Sequence, residues 1–407
     1  ASELSLNDIK SLDERLQWIH TTEESYRGLV QALLLKNRIE EALQQWELYR
    51  SRSMLPGHVA AANRQHNELY KTVSAQKTPQ AQQDDSMPRL IYADFKDGLN
   101  IWFSDGHHVV NRWVPINREE FENNVREFIE KCATDNSVLA DVQADGARLF
   151  ALMVQPIANM LPPSGTVIVE LDQQTYNLPV EALRSPDQHY LGERYSFVYS
   201  PGTWAERTLR STGPVNGRES LLVLDASHAP GAGQLPGMDS QKAAITKLFP
   251  RTHVIDTTKT AWQQAQTALT QSQIFIYLGH GRPEGSGTAL DYDASQTLKS
   301  KDFSPELLRH SEMAILAACS GAAGRQNGMA DTNNIVRAFL TAGVPVVIAS
   351  YWNVDSIATS QLMVTFYQHL SKGETADQAI YNARLELLQA KAHPYFWAGF
   401  TLAGRVS

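Results

Sequence analysis

Short apolar runs alternate with amphipathic stretches through the second half of this 407-residue chain. Apolar runs bounded by Gly and small polar residues are typical of buried strands in a parallel sheet. The pattern predicts strands at 220–224, 253–255, 273–278, 313–317 and 344–350, and helices at 240–249, 261–271, 332–342 and 357–372. Because strands and helices alternate, we expect an α/β fold with a parallel sheet covered on both faces.

A different pattern precedes this series. Residues 1–75 predict helices, since apolar positions such as Tyr26, Val30 and Leu33 recur at steps of three and four. Residues 76–88 contain almost no apolar side chains and predict a linker. Further strands are predicted at 90–95, 99–103, 109–114, 166–171 and 196–200, and further helices at 118–131 and 147–160. The two short N-terminal helices resemble one unit of a helical repeat array.

Composition narrows the class of protein. The net charge is −8, without a basic stripe, which argues against binding to nucleic acid. No apolar run approaches the roughly 18 residues needed to span a membrane, and the N-terminus lacks a signal-peptide core. With 2 cysteines a disulfide scaffold is excluded, so we expect a reduced, cytoplasmic setting. Cys132 lies in a predicted helix, where we expect an inert thiol.

Two of the predicted strands end in a residue suited to catalysis. His280 follows the apolar run 274–278, and Cys319 follows the run 313–317. In open α/β sheets, ligands bind just beyond the carboxyl ends of the strands. A nearby imidazolium lowers the pKa of a thiol, so His280 and Cys319 predict thiolate–imidazole catalysis. The backbone N–H groups of Gly281 and Cys319 are then candidate donors to an oxyanion.

Structural roles compete with this hypothesis. A cysteine after an apolar strand is most often a packing residue, and a histidine there is most often a core or cap residue. The combination of both residues with flanking glycines favours catalysis. Other chemistries lack support, because the chain has no Gly-x-Ser-x-Gly motif and no Lys-Ser/Thr after Gly285-Ser286-Gly287. His107-His108 has no further ligand at metal-binding spacing, so we expect neither metal nor cofactor.

Three blocks of residues carry a family pattern. They are Tyr-Leu-Gly-His-Gly at 277–281, Leu-Ala-Ala-Cys-Ser-Gly at 316–321, and the segment 337–373, which contains Ser-Tyr-Trp-Asn-Val-Asp at 350–355. The chain, from about residue 89 onward, resembles the CHAT family of caspase-related cysteine peptidases. Members of this family are often joined to tetratricopeptide repeats, and separases are more distant relatives. Two departures, Leu171-Asp172-Gln173 and Tyr351-Trp352, do not involve His280 or Cys319.

The resemblance implies roles and an architecture. His280 would be the general base and Cys319 the nucleophile. The fold would be a caspase-like parallel-sheet sandwich, with a non-catalytic pseudo-caspase half at 89–213 and a catalytic half at 214–407, preceded by a tetratricopeptide-like segment at 1–75. That segment would be the end of a longer repeat array that binds an activating partner. Family members commonly act on protein substrates in bacterial immunity, including gasdermin-like pore formers.

The resemblance also bears on the substrate pocket. In separase-like relatives an acidic residue after the tryptophan lines a pocket for a basic side chain. Asp355 is the nearest match in this chain, and Asp225, at the end of another predicted strand, is the second. The competing role for Asp355 is to cap the helix that begins near Ile357, and the pattern slightly favours that role.

Two functions therefore remain open. The first is a cysteine endopeptidase that cleaves a specific protein substrate. The second is a catalytically latent or inactive peptidase-like scaffold, whose helical repeats bind a partner protein. A third arrangement joins them, since a latent peptidase would become active when a partner docks. The presence of both His280 and Cys319 favours catalysis.

Overall fold

The computed structural model describes residues 12–54, 87–172, 175–229, 235–284, 287–318, 334–353 and 355–406. Helices α1 to α11 are, in order, Leu12–Leu35, Ile39–Met54, Arg118–Cys132, Leu139–Met153, Thr203–Thr208, Met238–Leu248, Trp262–Leu269, Ile335–Thr341, Ser356–Ser371, Ala376–Ala390 and Pro394–Trp397. Strands β1 to β14 are Arg89–Phe95, Gly98–Ser104, Val109–Pro115, Gly165–Glu170, Tyr195–Tyr199, Leu221–Asp225, Thr252–Asp256, Ile274–Leu278, Gly281–Glu284, Gly287–Asp291, Thr297–Leu298, Met313–Ala317, Val346–Ser350 and Phe400–Gly404.

Within these residues, a sheet of 11 strands has the order β3-β2-β1-β4-β5-β14-β13-β12-β8-β6-β7. Every residue of β8, β12 and β13 is buried, as expected for parallel strands covered by helices on both faces. The antiparallel pairs are β1–β2, β2–β3 and β13–β14, and the other neighbours run parallel. The α/β fold with a large, mostly parallel sheet is thus confirmed.

The sheet joins the two halves suggested by the sequence. Strands β1 to β5 fall in the range 89–213 and occupy one end of the strand order, whereas β6, β7, β8, β12, β13 and β14 fall in 214–407. The two groups meet where β14 pairs with β5, at Ala403 and Tyr199. The boundaries at 213 and 88 remain predictions, and residues 76–86 of the expected linker lie outside the described residues.

Three local expectations differ from the structure. Helix α4 begins at Leu139 rather than at 147. It ends at Met153 rather than at 160, because Pro156 has no N–H for a helical hydrogen bond and lies in a separate 3-10 helix at 155–160. Strand β14 was not expected, although it lies near the middle of the sheet order. The strands β9, β10 and β11 form a small antiparallel sheet directly after His280, where the sequence pattern predicted no strands.

The N-terminal helices pack on the sheet through an apolar cluster. Trp46 of α2 and Trp102 of β2 are fully buried, with ring centroids 6.4 Å apart. Val30 of α1 and Ile91 of β1 belong to the same cluster. Aromatic side chains of this size dominate the free energy of such contacts, so α1 and α2 form a continuous body with the sheet.

A buried ionic network lies beside this apolar cluster. Arg27 of α1 binds Asp172 with both terminal nitrogens, at 2.8 and 3.1 Å, and contacts Asp94 at 3.2 Å. All three side chains are buried. Burial and the neighbouring Asp172 carboxylate raise the pKa of Asp94 to about 8. The pKa of Asp172 is lowered, because Arg27 outweighs the opposing effect of burial. At neutral pH, Asp94 therefore carries the proton and Asp172 the charge.

A second network joins α2 to the sheet. Arg89 of β1 forms ion pairs with Glu170 of β4 and Glu206 of α5. Glu47 of α2 accepts a hydrogen bond from the backbone N–H of Thr203 at 2.9 Å. Burial and the Glu170 carboxylate raise the pKa of Glu47 well above its usual value. Since the polar groups of both networks meet these partners only in one arrangement, the networks favour a single position of the helices on the sheet.

We predict that stability falls between pH 6 and pH 9 and that Asp94→Asn reduces this loss. The folded-state pKa of Asp94 lies above its unfolded value, so its contribution is complete only below about pH 4 and is lost progressively as the pH rises through about 8. Asn mimics the protonated carboxyl and cannot ionise. Urea unfolding at both pH values should show a drop about 1–2 kcal/mol smaller in the variant. Asp135→Asn, at an exposed loop position, is the control; an equal drop in wild type and D94N would show that Asp94 is ionised throughout.

Candidate active site

Strands β8 and β12 are parallel neighbours, and their register defines the candidate site. Leu278, the last residue of β8, lies opposite Ala317, the last residue of β12. His280 follows Leu278 by two positions, and Cys319 follows Ala317 by two positions. Cys319 lies outside the described residues, which stop at Ala318 on this side of the site. Of the predicted catalytic and oxyanion residues, the structure thus describes His280 and Gly281, together with the strand that leads to Cys319.

His280 is half-buried, and its main chain is held from two sides. Its carbonyl oxygen accepts a hydrogen bond from the backbone N–H of Asp291 at 3.0 Å. It also accepts one from the hydroxyl of Tyr277 at 2.8 Å, and the same hydroxyl lies 2.6 Å from the carbonyl oxygen of Asp291. Tyr277 itself is fully buried in β8. The turn that carries His280 is therefore fixed to both the main sheet and the small sheet.

Glycine is required between the strand and the histidine. A Cβ atom on Gly279 would lie 2.5 Å from the Tyr277 hydroxyl and 2.9 Å from the Cβ of Ala226. Distances this short do not occur between real side chains, so any larger residue would displace the turn. Gly281 opens β9 and pairs with Leu290 of β10. Its backbone is thus ordered next to His280, as an oxyanion donor would need.

The end of β12 is also held by a hydroxyl from its other neighbour. Ser350, the last residue of β13, is fully buried and donates a hydrogen bond to the carbonyl oxygen of Ala318 at 2.5 Å. Ala318 directly precedes Cys319 in the chain. This contact orients the last described peptide carbonyl before the predicted nucleophile.

Asp225, one of the two predicted pocket residues, already has partners. It lies at the end of β6, in register with Leu278 of β8. Its carboxylate accepts hydrogen bonds from Lys242 at 2.6 Å and from the Ser227 hydroxyl at 2.5 Å. Burial alone would raise the pKa of Asp225, but these partners outweigh it and lower the pKa. Because Lys242 compensates its charge, Asp225 is poorly suited to receive a basic substrate side chain.

Asp355, the other predicted pocket residue, caps a helix. Its side chain accepts a hydrogen bond from the backbone N–H of Ala358 at 2.7 Å, at the start of α9. This is the capping role that the sequence favoured. The capping contact uses one carboxylate oxygen, Oδ1, and a second role of Asp355 toward substrate stays a prediction.

Other predicted features can be placed as well. Cys132 is buried at the end of α3, and burial raises the pKa of its thiol well above the usual value, which fits an inert cysteine. Among the described residues, no group of three or more His, Cys, Asp or Glu side chains is arranged to hold a metal ion. None of the helices in the same residues is long and apolar enough to cross a membrane.

Sequence reasoning missed the two hydroxyl groups that hold the site. Tyr277 and Ser350 both stand inside the blocks that carry the family pattern, but each also fits an ordinary place in a buried strand. The partner of Ser350 is 32 positions away, and the second partner of Tyr277 is 14 positions away. The only sequence signal was a polar atom inside an otherwise apolar run, which has to find a hydrogen bond when buried.

The chain is similar to known proteins both in sequence and in fold. The mouse and human tetratricopeptide repeat protein 28 are 24% and 23% identical to the chain over 318 residues. Each alignment covers 63% of this chain and 13% of the relative, so the chain spans only a small part of these proteins. In fold, the chain is similar to separase in the Saccharomyces cerevisiae separase–securin complex, with a TM-score of 0.62 and 10% identity, covering 90% of this chain and 34% of that one.

The separase likeness confirms a caspase-like fold, and the matched relatives confirm a connection with tetratricopeptide repeat proteins. The model of the CHAT domain family matches residues 143–405, which is more than half of the chain and includes both His280 and Cys319. The chain therefore belongs to the CHAT domain family.

Proposed function

We propose that the chain is a cysteine endopeptidase in which His280 and Cys319 form a catalytic dyad. The register of β8 and β12 is the observation that carries this proposal, because both residues follow a directly opposed pair, Leu278 and Ala317, by two positions. Neighbouring strands lie about 4.8 Å apart, so equal offsets at the same edge of the sheet favour side chains within reach of each other. Membership of the CHAT domain family and the separase-like fold support the same chemistry.

The proposed reaction proceeds in two stages. His280 takes the thiol proton of Cys319, and the thiolate attacks the peptide carbonyl carbon, forming a C–S bond. The backbone N–H groups of Gly281 and Cys319 donate to the oxyanion. His280 then gives its proton to the leaving amine as the C–N bond breaks, and water hydrolyses the resulting thioester with His280 as the base.

The substrate is proposed to be a specific protein. The family resemblance suggests a role in bacterial immunity, for example activation of a gasdermin-like pore former. Catalysis would reside in residues 214–407, with 89–213 as the non-catalytic half. The helices α1 and α2, which belong to the same body as the sheet, would bind an activating partner together with further repeats, as the tetratricopeptide repeat relatives suggest.

A second candidate function is a peptidase-like scaffold that binds a partner through its helices. The observation in its favour is the pair of buried networks that hold α1 and α2 on the sheet, around Arg27 and Arg89. Such fixed attachment suits a rigid binding platform as well as a regulated enzyme. The two functions differ in one measurable property, the dependence of cleavage on Cys319.

We predict that Cys319→Ala abolishes cleavage, with a loss of about 10³-fold or more, because it removes the nucleophile and leaves the fold intact. The assay would incubate wild type and variant with proteins encoded in the neighbouring genes and sequence any new N-terminus. Cys132→Ala is the matched control, since Cys132 is the other of the 2 cysteines in the chain and is expected to be inert. Cleavage retained by C319A would contradict the peptidase proposal.

A second prediction concerns the substrate residue before the cleaved bond. If Asp355 recognises a basic side chain, Asp355→Asn should slow cleavage after Lys or Arg about tenfold or more, because the charge is lost while the amide oxygen still caps α9. Asp355→Ala also removes the cap and should lower stability by about 1 kcal/mol. Unchanged cleavage by D355N, measured with the same substrate, would leave capping as the role of Asp355.

A further inference from the structure

Two buried hydroxyl groups flank the candidate site from opposite sides. Tyr277 belongs to β8 and Ser350 to β13, and these strands are the two neighbours of β12. Each hydroxyl donates to a main-chain carbonyl just beyond a strand end: Tyr277 to His280 and Ser350 to Ala318. The residues opposite Tyr277 in the adjoining strands, Leu224 and Leu316, are apolar, so packing alone does not call for a hydroxyl at this position.

The Tyr277 side chain and the turn around His280 fit each other closely. The hydroxyl contacts the residue three positions further along the chain, His280. It lies so close to Gly279 that a Cβ atom on this glycine would be only 2.5 Å from it. The same hydroxyl contacts the carbonyl of Asp291, whose N–H binds the carbonyl of His280. One phenol thus links the strand, the histidine and the small sheet. A phenylalanine would fill the same space but would remove the single phenol proton that the carbonyls of His280 and Asp291 share.

The Ser350 contact acts on the next strand. The carbonyl of Ala318 belongs to the amide that joins Ala318 to Cys319. An amide is planar and almost always trans, so a group that orients its carbonyl also orients its N–H. That N–H is one of the two oxyanion donors in the proposed reaction. The described side of this peptide, the Ala318 carbonyl, is held by the fully buried Ser350 hydroxyl at 2.5 Å. The role of its N–H as an oxyanion donor belongs to the proposed reaction.

We infer that Tyr277 and Ser350 are positioning residues, the first for the imidazole of His280 and the second for the oxyanion donor of Cys319. This inference rests on the proposed dyad. It also separates the two steps of the chemistry, since the imidazole sets the reactivity of the thiolate, whereas the oxyanion donor acts only when a carbonyl is attacked. The two hydroxyls should therefore affect different measurements.

The first measurement is the rate at which iodoacetamide alkylates Cys319, followed by mass spectrometry between pH 5 and pH 9. We predict that Tyr277→Phe slows alkylation at pH 6 about three- to tenfold and moves the midpoint of the pH profile upward, because a displaced imidazolium stabilises the thiolate less well. Tyr92→Phe is the matched control: Tyr92 is also fully buried and donates to a carbonyl, that of Met153 at 3.1 Å, far along the sheet order. A purely structural role for Tyr277 predicts the same melting temperature shift in both variants and no change in the pH profile.

The second measurement is the burst of p-nitrophenolate from p-nitrophenyl acetate, an acyl donor that forms an oxyanion when the thiolate attacks it. We predict that Ser350→Ala slows the burst about tenfold and leaves the alkylation rate and its pH profile unchanged. Ser196→Ala is the matched control, because the buried Ser196 hydroxyl also donates to a carbonyl, that of Asp377 at 2.8 Å. Equal burst rates in S350A and S196A would overturn the role of Ser350.

Two further variants distinguish failure of this inference from failure of the proposed function. His280→Ala should abolish the acidic arm of the alkylation profile, and Cys319→Ala should abolish the burst. If H280A alkylates like wild type, or if the burst persists in C319A, the dyad itself is wrong. If both variants behave as expected but Y277F matches Y92F, the dyad stands and the positioning role of Tyr277 is overturned.

Discussion

The parallel pairing of β8 with β12 is the constraint on which the rest of the structure depends. Both strands are wholly buried, so their register is fixed by packing on two faces, and a slip of one residue would turn every side chain to the opposite face. The pairing places Leu278 opposite Ala317, and these are the strand residues that precede His280 and Cys319 by two positions. The flanking strands extend this pairing on both sides, since β6 pairs with β8 and β13 pairs with β12.

The N-terminal helices pack on a part of the sheet that is distant from β8 and β12 in the strand order. They pack on β1 and β2, which are separated from β12 in the sheet order by β4, β5, β14 and β13. Two kinds of interaction share the contact. The stacked rings of Trp46 and Trp102 bury apolar surface, and this contact tolerates small shifts of the helix. The two hydrogen bonds from Arg27 to Asp172, in contrast, require one geometry. Affinity and precise placement of the helices therefore come from different side chains.

Much of this architecture could be predicted from the sequence. The uninterrupted apolar runs ending before His280 and Cys319 indicated buried parallel strands, and the strands predicted at 90–95, 99–103 and 109–114 correspond to β1, β2 and β3. Strand β14 was missed because it is short, ends in Gly404 and follows a turn of helix with no alternating pattern. The partners of Tyr277, Ser350 and Asp225 were missed for another reason. Hydrogen bonds to main-chain carbonyls and to a lysine on the following helix depend on tertiary geometry, which leaves no periodic signal in the chain.

Strand β14 also imposes an order of assembly. It is the last strand of the described chain to be synthesised, yet it is inserted between β13 and β5, and it is the element through which the two ends of the sheet are joined. Without β14, β5 and β13 would each present an unpaired edge, and the remaining strands could pair only as two separate groups. A nascent chain that ends before residue 400 therefore contains every other strand of the sheet but lacks the one that joins its two parts. The continuous sheet can form only after this strand has been translated.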